Sequence, residues 1–279
     1  MSMLTRVRRC MRRTPLREVL MSWRHRGLRP TDYFLASYPK SGNTWVKFVL
    51  ATLLADGPVD AWGNRNQFVP MVGHHSSAAS MRSGERLLKT HEGFRPVYRK
   101  SVYLVRDPRD VCVSYFYHER RKLGVRDPFS HFLNRFLHGS VDGYGTWETH
   151  TKSWIQAAAS GQYGVLVVRY EDLLDDSQGG FRRICEFLKM DVSDERLSFA
   201  LADNTPDRMR EKEQKSPDRP TRTGENQSFI RSARSSDWQA HFSDADLQAF
   251  NAVFPWTSRF ISPHEAGFNA AAALDSIRS

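Results

Sequence analysis

Residues 33–47 read Tyr-Phe-Leu-Ala-Ser-Tyr-Pro-Lys-Ser-Gly-Asn-Thr-Trp-Val-Lys, and this stretch decides the fold. Its first five residues are a β-rich apolar run. A short Pro/Ser/Gly loop follows and opens into a segment with Val46, Val49, Leu50, Leu53 and Leu54 at helical spacing. Strand, tight loop and helix N-terminus together hold phosphate well. Loop amides point inward, the helix dipole favours an anion, and Gly42 lets the backbone approach closely. The nucleotide-triphosphate loop, G-x-x-x-x-G-K-[ST], is a different sentence in the same grammar. Aligned on Gly42, this chain has Ser37 for the first glycine and Asn43 for the lysine, and it carries a lysine inside the loop at Lys40. Taken alone, the stretch is either a phosphate loop with a displaced cation or an ordinary strand-turn-helix with a lysine on its turn.

Working outward, the 279 residues suit one large α/β domain with ample length for a core. Cys10, Cys112 and Cys185 are far apart, form neither a disulfide framework nor a zinc pattern, and fit a reducing compartment. No apolar run approaches the roughly 18 residues of a membrane span, and none follows the N-terminal arginines as a secretion signal requires. Net charge is +10, but nine arginines against Glu18 within residues 1–30 account for +8 of it. That basic N-terminal arm is either a solvated or folded lead-in, or a patch for anionic lipid or an acidic partner. The remaining chain, 31–279, carries only +2, which argues against nucleic acid as a partner.

Strand-like and helix-like segments alternate, as in a parallel sheet with crossover helices. Besides 33–37, the expected strands are 86–89, 101–106 and 163–170; the expected helices are 108–121, 146–160, 179–189 and 243–253. The last opens at Ser243 with Asp246 three on, a capping-box start. Residues 57–85 and 203–236 read as long loops, and loops of that length in a compact domain tend to be functional.

Ser101-Val-Tyr-Leu-Val-Arg106 reads as a buried strand ending in arginine, followed by Asp107-Pro108-Arg109-Asp110 and a helix with Ser114. Arginine offers a fixed fork and serine a short donor, so the two can converge on one anion. Equally, Arg106 can pair with Asp107 or Asp110. Between the motifs lies Leu87-Leu-Lys-Thr-His-Glu92, whose histidine falls just past a short strand, where open α/β sheets bind ligands. Such a histidine is a base or a structural residue.

The ordered set Tyr38-Pro-Lys-Ser-Gly-Asn-Thr-Trp45, then Lys89-Thr-His91, then Arg106-Asp-Pro-Arg-Asp with Ser114, resembles the PAPS-dependent sulfotransferases. PAPS is 3′-phosphoadenosine 5′-phosphosulfate, and PAP is the product it leaves. The family's 5′-phosphosulfate loop reads Y-P-K-S-G-[ST]-x-W, from which Asn43 departs. The resemblance runs from about residue 33 to 255. It implies an α/β, P-loop-like (nucleotide-kinase-like) sulfotransferase fold, with a central parallel sheet flanked by helices.

It also implies roles for residues. Lys40, with Ser41, Gly42, Asn43 and Thr44, would hold the 5′-phosphosulfate, and Trp45 would stack on adenine. Arg106 and Ser114 would take the 3′-phosphate, and Tyr170 of Tyr170-Glu-Asp172 would face the adenine side. His91 would be the general base, with Glu92 a lesser choice, and Lys89 would assist Lys40 from the acceptor side. The family's late R-K-G-x-x-G-D-W-K-x-x-F signature survives here as Arg231, Asp237, Trp238 and Phe242. Arg231, Ser232 and Ala233 would therefore lie at the 3′-phosphate, with Arg234 as a possible substitute cation. The adenine-contacting S-F-x-x-M step falls on Thr205-Pro-Asp-Arg-Met209 without its phenylalanine, and the C-terminal dimer motif is absent.

The expectation is therefore a cytoplasmic enzyme, peripheral at the membrane if the arm docks there. It would move a sulfuryl group from PAPS to a hydroxyl acceptor without metal. The rival expectations are a P-loop kinase or NTPase, or a non-catalytic nucleotide-binding module.

Overall fold

The computed structural model describes residues 15–59, 65–124, 126–216, 230 and 234–255. Four strands, β1 (Tyr33–Ser37), β2 (Leu87–Thr90), β3 (Lys100–Val105) and β4 (Gly164–Arg169), form one sheet in the order β2-β1-β3-β4. Every pairing is parallel, with Leu35 opposite Lys89 and Val102, and Tyr103 opposite Val167.

A parallel sheet must be covered on both faces, and the sequence supplies both. Successive side chains point to opposite sides. Phe34, Ala36, Tyr103 and Val105 enter one core with Trp147, Trp154 and Phe136. Tyr33, Leu35, Val102 and Leu104 enter another with Val46, Val49, Leu50, Phe181 and Ile184. The helices providing those walls are α2 (Asn43–Ala55), α5 (Phe129–Leu137), α6 (Trp147–Ala159) and α8 (Ser177–Phe187). A buried bidentate pair, Arg86 to Asp32 at 2.7 and 2.9 Å, fixes the entries to β1 and β2.

Elsewhere the chain forms α1 (Pro15–Arg24), the single-turn α3 (Arg65–Phe68), α4 (Pro108–Leu123), α7 (Tyr170–Asp175), α9 (Asp194–Asp203), α10 (Pro206–Lys215) and α11 (Asp244–Val253). Ser243 and Asp246 make the expected capping box at α11.

Two expectations need correction. Residues 206–215, read as loop, are helix α10, with Pro206 in its first turn and the Thr205 side chain capping it. This helix buries Met209, Lys212 and Glu213, and Lys212 donates to Asp203 at 2.6 Å, so an ion pair replaces the missing apolar stripe. Tyr170 does not end β4 but opens α7. Within the basic arm, residues 15–24 take the folded lead-in alternative, as helix α1.

Candidate active site

Because the four strands run parallel, all four end on one edge of the sheet, and each is followed at once by a residue already singled out. β1 gives way to the loop at Tyr38, β2 to His91, β3 to Arg106 and β4 to Tyr170. Open α/β sheets bind ligands outside these carboxyl ends. A cleft of about 760 Å³ lies here, lined by Lys40, Gly42, Asn43, Thr44, Trp45, Lys89, His91, Arg106, Ser114 and Tyr170. Ser41 is buried and does not line it. Arg231, Ser232 and Ala233 lie outside the described residues.

The loop is shaped by two left-handed backbones, φ +74° at Lys40 and +87° at Gly42. A Cβ on Gly42 would stand 2.3 Å from Cδ2 of Tyr170, so the β1 loop and the start of α7 interlock only through glycine. Gly42 caps α2 without a side-chain hydrogen bond, and the first turn of α2 holds no acid. The positive end of the helix is therefore not neutralised by a carboxylate of its own first turn. Three side-chain atoms nearby are buried and unpartnered: Ser41 Oγ, Asn43 Oδ1 and Arg106 Nε. A buried donor without a partner costs on the order of 1–3 kcal/mol. Phosphate oxygens are the acceptors that Ser41 and Arg106 fit.

Arg106 holds the two halves of the site together. Its guanidinium donates to Lys40 O (3.4 Å) and Arg234 O (2.9 Å), sits 3.6 Å from Asp110, and stacks at 4.4 Å on the Tyr170 ring. Of the two partners open to it, Asp110 is therefore the one taken, while Asp107 pairs with Arg109. Asp110 also accepts the amides of Ser236 and Trp238, each at 2.9 Å, and Arg109 stacks on the Trp238 indole at 3.8 Å. Burial pushes the Asp110 carboxyl up, against the pull of Arg106 and the two amides. The Asp237-Trp238 remnant of the late signature is thus fastened to α4 by the aspartate and arginine of Arg109-Asp110.

His91 is placed by its neighbours. Its Nδ1 lies 2.8 Å from the carbonyl of Ser37, which can only accept, so Nδ1 carries the proton and Nε2 a lone pair. Ser37 Oγ lies 3.3 Å from the same nitrogen and accepts from the Asn43 amide at 3.1 Å. The one loop residue that departs from the family pattern is thereby tied to the histidine. Behind it, buried His150 donates to His91 O (3.1 Å), and Trp154 donates to Glu92 O (3.0 Å). Burial drives the His91 pKa well below its ordinary value, helped by the charges of Lys89 and Lys40.

Glu92 is not part of the cleft wall. It is buried among Arg24 (3.4 Å), His25 (3.6 Å) and Arg95 (3.3 Å). Burial alone would raise its carboxyl, yet these partners hold it below the usual carboxylate range.

Sequence reasoning missed several residues. Ser37 was read only as the missing glycine, and Asp110 only as a rival partner for Arg106. Met71, Tyr115, His118 and Tyr144 also line the cleft, with the Tyr144 and His91 rings 5.9 Å apart. Tyr115 and His118 stand at one-residue and one-turn spacing from Ser114 on α4, a signal the sequence did contain. Asn204, Thr205, Pro206 and Met209 close the cleft at the α9–α10 corner. Met209 falls where the adenine step was expected. Among the described residues, no group of three or more His, Cys, Asp or Glu could hold a metal ion.

Fold and cleft together define a P-loop-like sulfotransferase. The sulfotransferase domain family matches residues 30–260. Sulfotransferase 2B1 of Mus musculus is 31% identical over 247 residues, spanning 81% of this chain and 71% of that protein. Human sulfotransferase 2B1 is 29% identical over 270 residues, spanning 86% and 71%. Mouse sulfotransferase SULT7A1 complexed with PAP superposes with a TM-score of 0.67 at 23% identity, covering 94% of this chain and 92% of that one. Retinol dehydratase in complex with retinol and PAP gives 0.68 at 21% identity, covering 90% and 88%. The chain therefore belongs to the sulfotransferase family and is a PAPS-dependent sulfotransferase.

Proposed function

We propose that residues 31–279 form one catalytic domain that transfers the sulfuryl group to a hydroxyl of the acceptor, with His91 as general base. The observation that carries this is the convergence of Lys40, His91, Arg106 and Tyr170 at the ends of four parallel strands. PAPS, when bound, supplies the sulfuryl group and departs as PAP. Lys40, Lys89 and the α2 N-terminus offer positive charge to the 5′ end, where charge builds up on the leaving phosphate. Thr44 and the buried Ser41 hydroxyl support the same end. Ser114 and the unpartnered Nε of Arg106 suit the 3′-phosphate, with Arg231 to Ala233 beside them in the sequence reading. Trp45, Tyr170 and Met209 suit the adenine.

His91 accepts the acceptor's proton at Nε2, because Ser37 O fixes the other proton at Nδ1. Such a base contributes typically 10²–10⁴-fold. Holding the hydroxyl against Nε2 turns a bimolecular step into an intramolecular one. Aromatic Tyr115 and Tyr144, with Met71, favour an acceptor whose hydroxyl sits on an apolar body.

The test is incubation with sulfur-labelled PAPS and a panel of phenols, sterols, glycans and lipids, read by mass spectrometry. Label should move to a hydroxyl, and PAP should raise the melting temperature where ATP with magnesium does not. ATP binding without PAPS consumption would instead return the chain to the kinase or NTPase class.

A further inference from the structure

Amphipathic helices at a protein surface normally lay their apolar stripe on the core and turn charge to water. Helix α1 departs from that rule. Two of its charged side chains, Glu18 and Arg24, turn to the domain, while Ser22 is exposed and Met21 is half-buried. Glu18 takes two bonds from Arg95, each 3.0 Å. Arg24 donates to Val72 O at 2.8 Å and pairs with Glu92 at 3.4 Å, and just beyond the helix His25 meets the Tyr98 hydroxyl at 2.8 Å. The packing is close enough that a Cβ on Gly73 would stand 2.9 Å from Arg24 Nε.

Docked that way, the helix presents Val19, Leu20 and Trp23 outward, exposed by 63%, 41% and 61%. Six large hydrophobic side chains are exposed among the described residues, and these are three of them; a fourth, Val97, lies in the loop that receives the helix. An apolar face held out by ion pairs on its opposite side is positioned for something outside the chain.

The surrounding charge indicates what that is. Residues 1–30 carry nine arginines, and their single acid, Glu18, is already taken by Arg95. Arg26 and Arg29, just past the helix, are exposed. Tryptophan and aliphatic side chains that enter the headgroup boundary, with arginines close by in the chain for lipid phosphates, are the chemistry of an interfacial helix. At ten residues, about 15 Å long, α1 lies on a bilayer and does not cross it. No helix among the described residues is long and apolar enough to span one.

We propose that the outward face of α1, with its flanking arginines, docks on a bilayer containing anionic lipid. The placement adds a consequence that rests on the proposed reaction. Arg24 grips Val72 and Glu92, each one residue from the cleft-lining Met71 and His91. The docked helix therefore stands beside the acceptor end of the cleft, where a hydroxyl-bearing amphiphile in the same leaflet could enter.

The experiment is co-sedimentation of the full chain with vesicles of phosphatidylcholine alone and with phosphatidylserine added. Binding is expected only with the anionic lipid and should weaken as salt rises. The double variant Val19→Glu/Trp23→Glu should lose at least about tenfold in vesicle affinity while its melting temperature and its PAP-induced shift stay unchanged. Absence of wild-type binding to the anionic vesicles overturns the proposal. So does binding that the double variant retains, or a self-associated state in sedimentation that it abolishes. Vesicle binding by a protein that transfers no sulfuryl group would leave the docking face standing and remove only the reaction.

Discussion

The two ends of the cleft are built in different ways. The end that holds Lys40 comes from one continuous stretch, residues 37–45, where strand, loop and helix follow each other without interruption. The end that holds Ser114 is assembled from afar. Arg106 reaches back to Lys40 O and forward to Arg234 O, and Asp110 clasps the amides of Ser236 and Trp238. A contiguous device is specified by local chemistry and tolerates changes elsewhere. An assembled one depends on a few buried polar groups whose loss frees a whole segment. In functional terms, substitutions at the first end and its attached histidine should cost rate, and substitutions at the second should cost nucleotide affinity.

The largest effect is expected at His91. His91→Ala should lower kcat by about 10²–10⁴-fold and leave the PAP-induced thermal shift in place; loss of that shift would make the residue structural. Next is Asp110→Asn, which weakens the acceptor for the Ser236 and Trp238 amides without touching the cleft wall. PAP affinity measured by calorimetry should fall about tenfold, the equivalent of roughly 1.4 kcal/mol, while kcat at saturating donor stays near wild type. A kcat loss as deep as that of His91→Ala would erase the difference between the ends.

Asn43→Ala sharpens the comparison within the first end. It removes the donor to Ser37 Oγ and loosens the seat of His91, so kcat should fall about three- to tenfold with PAP binding retained. The smallest effect is a shift in pH dependence. In the proposed reaction neutral His91 is the active form, and burial lowers its pKa well below the ordinary imidazole value of 6.5. The acid limb of kcat/KM should therefore lie below pH 6.5. Lys89→Met removes a cation that disfavours the imidazolium, so the residual activity should show that limb at higher pH. A limb that stays in place would separate the titration from His91.

The same contrast governs what could be read from sequence. The sheet was legible because β1 and β3 alternate between two apolar faces, and both faces needed cover. Lys40 was legible from its place in the loop after β1, and His91, Arg106 and Tyr170 from their places at or just past strand ends. Helix α5 was overlooked although Phe132, Leu133, Phe136 and Leu137 carry its spacing openly. Helix α10 was hidden for a physical reason: its buried side includes Lys212 and Glu213, so no apolar period marks it. Asp110's hold on residues 236–238 spans 126 and 128 positions, and no local pattern announces such a contact. The outward-facing stripe of α1 was equally unreadable, since its spacing is that of a core helix and only the ion pairs behind it reverse the orientation.

Lys40 sits in a left-handed backbone, φ +74°, without being glycine. That conformation costs a side-chain-bearing residue about 1 kcal/mol. Glycine at this position would relax the loop and discard the ammonium in one step. Screening variants for thermostability alone would therefore favour Lys40→Gly, and with the role proposed for Lys40 it would select a sturdier protein that has lost its reaction, so any stabilisation campaign on this scaffold has to hold position 40 fixed.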